Sequence, residues 1–333
     1  MLQSLARSTF FFLGVVTFML GATLALGQRP AAAETISVTY WGGTFYGAPY
    51  AVAMKKGYFK QRGVDITGIL SSQGGGTTVR NTLAAGLPYG EVALSAALDA
   101  INKGQQLKIV NSGVGTVGDV LWVTQKGSKI KSVKDLVGKK VGFNSVGSTT
   151  HMLLLMSLKE VGIDPSPVTM MPAGAYGLNT STVISGGLDA GVSGEPVWSQ
   201  TRDKVQPAFW VKDVLNPAMM QTVGITTTEF AESRPEVLRA IISARAEGVR
   251  FIMEHPDEAA DITAEAYKGD AQQFRELFRN FVAINYWSEG AFDYKAMDRM
   301  AEGLKIVGKL DGTVDWSKMA NTRFVTAATN KAR

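Results

Sequence analysis

The stretch Val137–Gly162, VGKKVGFNSVGSTTHMLLLMSLKEVG, has the pattern of a short strand, a polar loop and a strongly apolar helix. Val141–Asn144 fits the strand, and Gly162 ends the helix. The loop between them supplies a glycine and small hydroxyl residues: Ser145, Gly147, Ser148, Thr149 and Thr150. A helix N-terminus has about four unpaired N–H donors and a partial positive charge, so this loop can bind a carboxylate, sulfonate, phosphate or nitrate. The alternative is an ordinary Ser/Thr helix cap without a ligand.

The same order of elements occurs earlier in the chain. Strand 36–41, loop 42–47 and helix 48–56 correspond to the strand, loop and helix of the stretch above. Strand 64–70, loop 71–76 and helix 77–85 correspond to strand 168–171, loop 172–177 and helix 178–187. Strand 91–94 corresponds to strand 190–192. Two successive βαβαβ units predict an α/β protein with two similar lobes. We expect each lobe to have a mostly parallel sheet flanked by helices, with ligand loops at the carboxyl ends of its strands.

The first 33 residues differ from the rest of the chain. Arg7 precedes a nearly continuous apolar run from Phe10 to Leu26, and Ala31-Ala32-Ala33 places small residues before Glu34. This order is typical of a secretory signal peptide that is cleaved after Ala33, and an uncleaved membrane anchor is the alternative. Because an exported protein without an anchor would diffuse away from a cell lacking an outer membrane, we expect a periplasmic protein.

Composition and charge exclude several classes of function. The chain has 333 residues, with 45% hydrophobic and 19% charged, which suits two α/β domains. Removal of Arg7 and Arg29 would lower the formal charge from +5 to +3, and the scattered basic residues do not predict nucleic-acid binding. The chain has no Cys, which excludes disulfides, thiolate metal sites and a Cys nucleophile. His151 and His255 are distant in sequence and, without Cys, form no metal-binding pattern. We also expect no cofactor.

Two segments carry a family resemblance. Gly57–Gly63, GYFKQRG, stands before a strand, and Lys126–Phe143 reads KGSKIKSVKDLVGKKVGF. Both resemble the periplasmic solute-binding proteins of ABC importers for nitrate, sulfonate and taurine, the SsuA/THI5-like and NMT1-like family. The resemblance covers roughly residues 36–290. One departure is Pro88-Tyr89, which stands where an acidic residue is usual in the family.

The resemblance implies a type II periplasmic-binding-protein fold with two crossing segments, Val120–Thr124 and Gln221–Thr227. Lobe one would contain 34–120 and 222–333, and lobe two 121–221. A small molecule would bind between the lobes, and hinge closure would present it to an ABC permease and its ATPase. We expect a monomer without enzymatic activity.

We expect the ligand to contact opposed loops of the two lobes. The predicted ligand-binding residues are Trp41, Phe45, Tyr46, Ser72, Gly75, Thr77, Ser95, Asn144, Ser148, Thr149, Tyr176 and Glu195. The aromatic residues favour a planar or aromatic organic anion over nitrate, with alkanesulfonate or taurine second, although the rings can equally pack in the core. Glu195 can instead stabilise a helix N-terminus. Since no Arg lies between Arg80 and Arg202, we expect N–H groups and hydroxyls to bind the anion.

Two other functions remain open at this stage. The fungal thiamin-pyrimidine synthases are enzymes with a similar fold, but they use a cysteine-rich iron-binding segment that is absent from this chain. A periplasmic sensor subunit would bind the same ligand and dock on a receptor kinase instead of a permease. The sequence does not separate this sensor from a transport receptor.

Overall fold

The computed structural model describes residues 32–325, so residues 1–31 of the predicted signal peptide lie outside the described part. The predicted cleavage point after Ala33 falls inside the first strand, which begins at Ala32. None of the helices between residues 32 and 325 combines the length and apolar character needed to cross a membrane.

This part of the chain contains ten strands and twelve α-helices. The strands are β1 (Ala32–Thr39), β2 (Val64–Ser72), β3 (Gly90–Ala93), β4 (Leu107–Ser112), β5 (Leu121–Gln125), β6 (Lys140–Phe143), β7 (Thr169–Pro172), β8 (Ala190–Ser193), β9 (Val205–Trp210) and β10 (Thr222–Thr227). The helices are α1 (Ala48–Lys55), α2 (Gly75–Ala84), α3 (Leu94–Asn102), α4 (Thr149–Glu160), α5 (Tyr176–Ile184), α6 (Val197–Thr201), α7 (Thr228–Ser233), α8 (Pro235–Glu254), α9 (Pro256–Tyr267), α10 (Ala271–Ala283), α11 (Tyr294–Ile306) and α12 (Trp316–Met319).

The strands form two five-stranded sheets of the same design, as the sequence repeat predicts. The first has the order β2-β1-β3-β10-β4, and the second has the order β7-β6-β8-β5-β9. In the first sheet β1 is parallel to β2 and β3, whereas β10 is antiparallel to β3 and β4. In the second, β6 is parallel to β7 and β8, whereas β5 is antiparallel to β8 and β9. We call the sheets with their flanking helices lobe one and lobe two.

The two antiparallel strands are those that follow the crossings between sheets. The chain leaves lobe one after β4 and enters lobe two as β5, and it returns from β9 to lobe one as β10. The loops after β1, β2 and β3 therefore lie at the carboxyl ends of parallel strands in lobe one, and those after β6, β7 and β8 do so in lobe two. The exact lobe boundaries given above stay a prediction.

The C-terminal helices do not all belong to one lobe. Helix α8 packs on α1 of lobe one, and α9 packs on α1 and α10. Helix α11 contacts α3 of lobe one and also α4 of lobe two. Gly303 permits this close approach, because a Cβ at this position would lie 3.0 Å from both Met152 Cβ and Met156 Sδ. One apolar cluster consequently continues from α3 through α11 to α4.

Candidate functional site

A cleft of about 1420 Å³ lies where the carboxyl ends of the parallel strands of both lobes meet. Lobe one contributes the loop after β1, the start of α2 and one side of α3. Lobe two contributes Asn144–Thr150 and Gly174–Leu178, and the crossing segments contribute Val120 and Gln221. Ser95 Oγ of lobe one lies 3.5 Å from Thr149 Oγ1 of lobe two, so the lobes touch at one edge of the cleft.

Eight of the twelve predicted ligand-binding residues line this cleft. They are Trp41, Tyr46, Gly75, Ser95, Asn144, Ser148, Thr149 and Tyr176. Gly75 is at the first turn of α2, where a Cβ would lie 2.5 Å from Ala96 Cβ on α3. Its missing side chain therefore lets α2 and α3 approach each other beside the cleft. Whether these eight residues bind a ligand stays a prediction.

Two of the remaining four residues, Phe45 and Ser72, are buried outside the cleft lining. The Phe45 ring is 1% exposed and packs against Phe274, with 4.8 Å between ring centroids. It contributes to the core, which is the alternative given for the aromatic residues. Ser72 Oγ lies 2.5 Å from Thr78 Oγ1 inside lobe one.

The other two, Thr77 and Glu195, have intramolecular partners. Thr77 Oγ1 accepts a hydrogen bond of 2.8 Å from Arg80 Nη2. Glu195 accepts hydrogen bonds from the N–H and the hydroxyl of Ser199, at 3.1 and 3.0 Å, at the start of α6. This is the helix-stabilising role given above as its alternative. Burial raises the pKa of Glu195, and the hydrogen bonds from Ser199 act in the opposite direction.

Aromatic side chains from both lobes line the cleft. Tyr46 and Tyr176 come from opposite lobes, and Trp41 stands edge-on to Tyr267, with 4.9 Å between ring centroids. Burial raises the pKa of the Tyr46 and Tyr176 phenols well above the usual value. Both phenols therefore stay protonated at neutral pH and present O–H groups along with an apolar ring face.

The start of α4 satisfies much of its own hydrogen bonding. Ser148 is the N-cap, and its Oγ accepts from His151 N at 3.3 Å. Gly147 N donates to His151 Nδ1 at 3.2 Å, and Asn144 N donates to Thr150 Oγ1 at 2.9 Å. Burial lowers the pKa of His151, so the imidazole is neutral and accepts this bond. The backbone N–H groups of Asn144, Gly147 and His151, which we expected to be available to an anion, therefore already have acceptors within the loop.

Three basic side chains outside the predicted set of ligand-binding residues also line the cleft. They are Arg80 on α2, Lys103 just after α3, and Lys309 after α11, and all three are exposed. Arg80 lies on α2 four residues after Gly76, and this spacing in the sequence predicts that both residues lie on the same face of the helix. Lys309 is far from the other cleft residues in sequence and reaches the cleft only because α11 contacts lobe two. Its Cε lies 3.2 Å from the position of a Cβ on Gly147.

A buried acid lies behind the cleft lining at the crossing segments, hydrogen-bonded to Gln221. Asp119 Oδ1 accepts from Gln221 Nε2 at 3.1 Å, and Asp119 Oδ2 accepts from Tyr286 Oη at 3.3 Å. Burial raises the pKa of Asp119 to about 6, against the hydrogen bonds from Gln221 and Tyr286. Gln221 lines the cleft and so connects it to both crossings.

Residues 32–325 contain no group of three or more His, Cys, Asp and Glu side chains that is arranged to hold a metal ion. The chemistry that this part of the chain offers at the cleft is hydrogen bonding, ring contacts and charge.

Comparison with known proteins agrees with this architecture. The riboflavin-binding protein RibY of Chloroflexus aurantiacus is 23% identical over 295 residues, covering 84% of this chain and 82% of that protein. The periplasmic aliphatic sulphonate binding protein SsuA of Escherichia coli has a TM-score of 0.71 at 15% identity, covering 86% of this chain and 97% of that structure. A mutant of DSZB in complex with biphenyl-2-sulfinic acid has a TM-score of 0.64 at 13% identity, covering 87% and 97%.

The structural likeness confirms the predicted two-lobed periplasmic-binding-protein fold. Residues 44–259, more than half of the chain, match the family model described as NMT1/THI5 like. The chain therefore belongs to the NMT1/THI5-like family, as the segments around Gly57 and Lys126 indicate.

Proposed function

We propose that this chain is the periplasmic solute-binding receptor of an ABC importer and that it encloses a small organic anion with a planar or aromatic body. The observation that carries this proposal is the composition of the cleft. Aromatic rings from both lobes line it, and three exposed basic side chains lie around the same cleft. A ring between Tyr46 and Tyr176 would bury apolar area. An anionic group would be attracted by Arg80 and Lys309, whereas Lys103 is already paired with Asp99.

The relatives support both parts of this ligand. RibY is named for riboflavin, a planar heterocycle, and SsuA for aliphatic sulphonates, which are anions. Hinge closure is the expected mechanism, because the two lobes are joined by crossing segments and contact each other through Ser95 and Thr149. Closure on the ligand would produce the form that the permease and its ATPase recognise.

Ligand-dependent stabilisation tests the receptor function. The mature protein is unfolded by heat in the presence of taurine, hexanesulfonate, nitrate, naphthalene-2-sulfonate or riboflavin. A ligand at 100 times its dissociation constant adds about 2.7 kcal/mol to the free energy of unfolding, a readily measured shift. We expect the aromatic probes to stabilise most. An unchanged unfolding temperature across the whole panel, together with no co-purifying small molecule in native mass spectrometry, would refute the proposal.

An enzymatic function is the second candidate, because the fold is shared with DSZB, described as a desulfurization enzyme. This chain has no Cys, so it cannot catalyse a reaction that depends on a thiolate of its own. Incubation with biphenyl-2-sulfinate separates the candidates. A receptor releases the compound unchanged after denaturation, whereas a desulfurizing enzyme releases sulfite with turnover. A sensor subunit is distinguished genetically, since deletion of its gene leaves solute uptake unchanged and abolishes the response to the solute.

A further inference from the structure

Three polar atoms of the cleft residues are buried without a hydrogen-bond partner within residues 32–325. They are Gln221 Oε1, Thr44 Oγ1 and Asn144 Oδ1. Gln221 is 2% exposed and Thr44 is 7% exposed, so bulk water is not a ready partner for them. Buried polar atoms are paired in the great majority of cases, because an unpaired one has lost its water and gained nothing. A bound molecule that provides the partner accounts for Gln221 Oε1 and Thr44 Oγ1. The Asn144 amide instead forms a hydrogen bond with Tyr40, and its rotation would give Oδ1 that partner.

The orientation of the Gln221 amide is fixed by its surroundings. Its Nε2 donates to Thr116 O at 3.0 Å and to Asp119 Oδ1 at 3.1 Å. A rotated amide would place Oε1 against these two acceptors, so the oxygen is the atom left for the cleft. Donation to a carboxylate also polarises the amide and makes its oxygen a stronger acceptor. Gln221 therefore requires a donor from the ligand.

The charge distribution along the cleft agrees with this requirement. Asp119 is buried directly behind Gln221, and Glu195 is close enough to interact with it electrostatically; neither acid belongs to the cleft lining. Arg80 and Lys309 are exposed residues of the lining. Lys103 Nζ, by contrast, lies 2.6 Å from Oδ2 of Asp99, which also lines the cleft. A ligand that is anionic at both ends would place negative charge next to Asp119. A ligand that donates hydrogen bonds at one end and is anionic at the other matches both ends.

We infer that the ligand is a planar heterocycle with an imide or amino N–H on one edge, which binds Gln221 Oε1 and Thr44 Oγ1, and an anionic group directed toward Arg80 and Lys309. This inference rests on the proposed receptor function and deepens it by naming the class of ligand. Gln221 is then a specificity-determining residue.

Matched probes that differ in one donor test the inference. Flavin mononucleotide is compared with its N3-methyl derivative, and 4-aminobenzenesulfonate with 4-(dimethylamino)benzenesulfonate, by isothermal titration calorimetry. In the pair that binds more tightly, we expect the N–H member to bind at least about tenfold more tightly than the methylated member. The methyl groups remove the donor and leave the ring and the anionic group in place.

Two variants identify the atoms responsible. Thr44→Val removes a hydroxyl that has no partner in the protein, so we expect an unchanged or higher unfolding temperature and about a fivefold or larger loss of affinity for the N–H probe. Gln221→Leu should abolish the discrimination within a pair, but it also removes two hydrogen bonds between the crossings. Ser157→Ala is the matched control, since Ser157 Oγ is also buried and unpartnered but is not among the cleft residues. It should change neither affinity nor discrimination.

The outcomes separate this inference from the receptor function. Equal affinities within both pairs, or full discrimination retained by both Thr44→Val and Gln221→Leu, would overturn the inference. Binding of hexanesulfonate or naphthalene-2-sulfonate, with none of the four matched probes bound, would overturn it as well and leave the receptor function intact. Failure of every anion to bind would overturn both.

Discussion

Glu91 and Arg245 form an ion pair inside lobe one, with 3.0 Å between Oε2 and Nε and side chains that are 0% and 1% exposed. The pair joins β3 of the sheet to α8 of the C-terminal region, which are far apart in sequence. The remaining bonds of both groups are satisfied by Tyr50 Oη, Thr222 Oγ1, Gly113 O and Ser288 O. The pair thus connects α8 to β3, the strand that leads directly into α3 and its cleft residue Ser95.

We predict that Arg245→Leu destabilises the protein strongly, because it leaves the Glu91 carboxylate buried without its counter-charge. Breaking a buried pair in this way costs about 3–5 kcal/mol. The measurement is the free energy of unfolding in urea. Arg275→Leu is the control, since Arg275 pairs with Asp261 on the exposed surface and should cost at most about 1 kcal/mol. Similar losses for the two variants would contradict the assigned role of the buried pair.

We predict that Tyr46→Ala and Trp41→Ala weaken the binding of naphthalene-2-sulfonate by an order of magnitude or more, because each removes ring contact area from the cleft. Hexanesulfonate, which has no ring, should lose less. The measurement is the dissociation constant of both probes by calorimetry. Trp316→Ala is the control, because this ring is outside the cleft lining and donates to Asp298 Oδ1 at 2.7 Å. An equal loss for both probes would remove the preference for aromatic ligands.

The architecture could be predicted from the sequence because its signals are local and occur twice. Strand periodicity, loop glycines and helix ends repeat in both halves, and they correspond to strands in the same order in the two sheets. The position of loops at the carboxyl ends of parallel strands then follows from connectivity alone. This is why Trp41, Asn144 and Tyr176 could be placed near one another without coordinates.

The other features depend on contacts between distant segments. Phe45 and Tyr46 are neighbours in one loop, and only the packing of α10 under Phe45 decides that one faces the core and the other the cleft. Lys309 lies at the cleft because α11 packs against both lobes, and no local sequence pattern predicts this packing. Gln221 was recognised as part of a crossing strand, but its paired Nε2 and unpaired Oε1 are properties of the assembled crossings.

We predict that Arg80→Met and Lys309→Met together weaken anionic probes and reduce the dependence of affinity on salt. Exposed charges act through a screened field, so naphthalene-2-sulfonate should bind the unmodified protein less tightly at about 0.5 M salt than at about 0.02 M. The double variant should lose this difference. Lys131→Met with Lys126→Met is the control, because both side chains are exposed and outside the cleft lining. The same salt dependence in both double variants would argue against an anion at this end.

We predict that Asp119 makes the protein less stable as the pH rises from about 4 to about 6. Burial raises its pKa from 3.8 to about 6, so the folded state holds the proton more tightly than the unfolded state. The stabilisation that comes from protonation is complete below the unfolded pKa and is lost as the pH rises through the folded pKa. The difference in pKa corresponds to roughly 3 kcal/mol between these limits.

Asp119→Asn isolates this contribution, because an amide keeps an acceptor for Gln221 Nε2 and cannot ionise. The free energy of unfolding of the variant relative to the unmodified protein should rise by up to about 3 kcal/mol between pH 4 and pH 7. Acids that do not interact with Asp119 titrate alike in both proteins and cancel in this difference, whereas Glu195, which raises the pKa of Asp119, contributes a smaller part of it. Asp311→Asn, at an exposed position, is the control and should leave the free energy of unfolding nearly unchanged. A pH-independent difference for Asp119→Asn would show that the acid between the crossings is not held in its protonated form by burial.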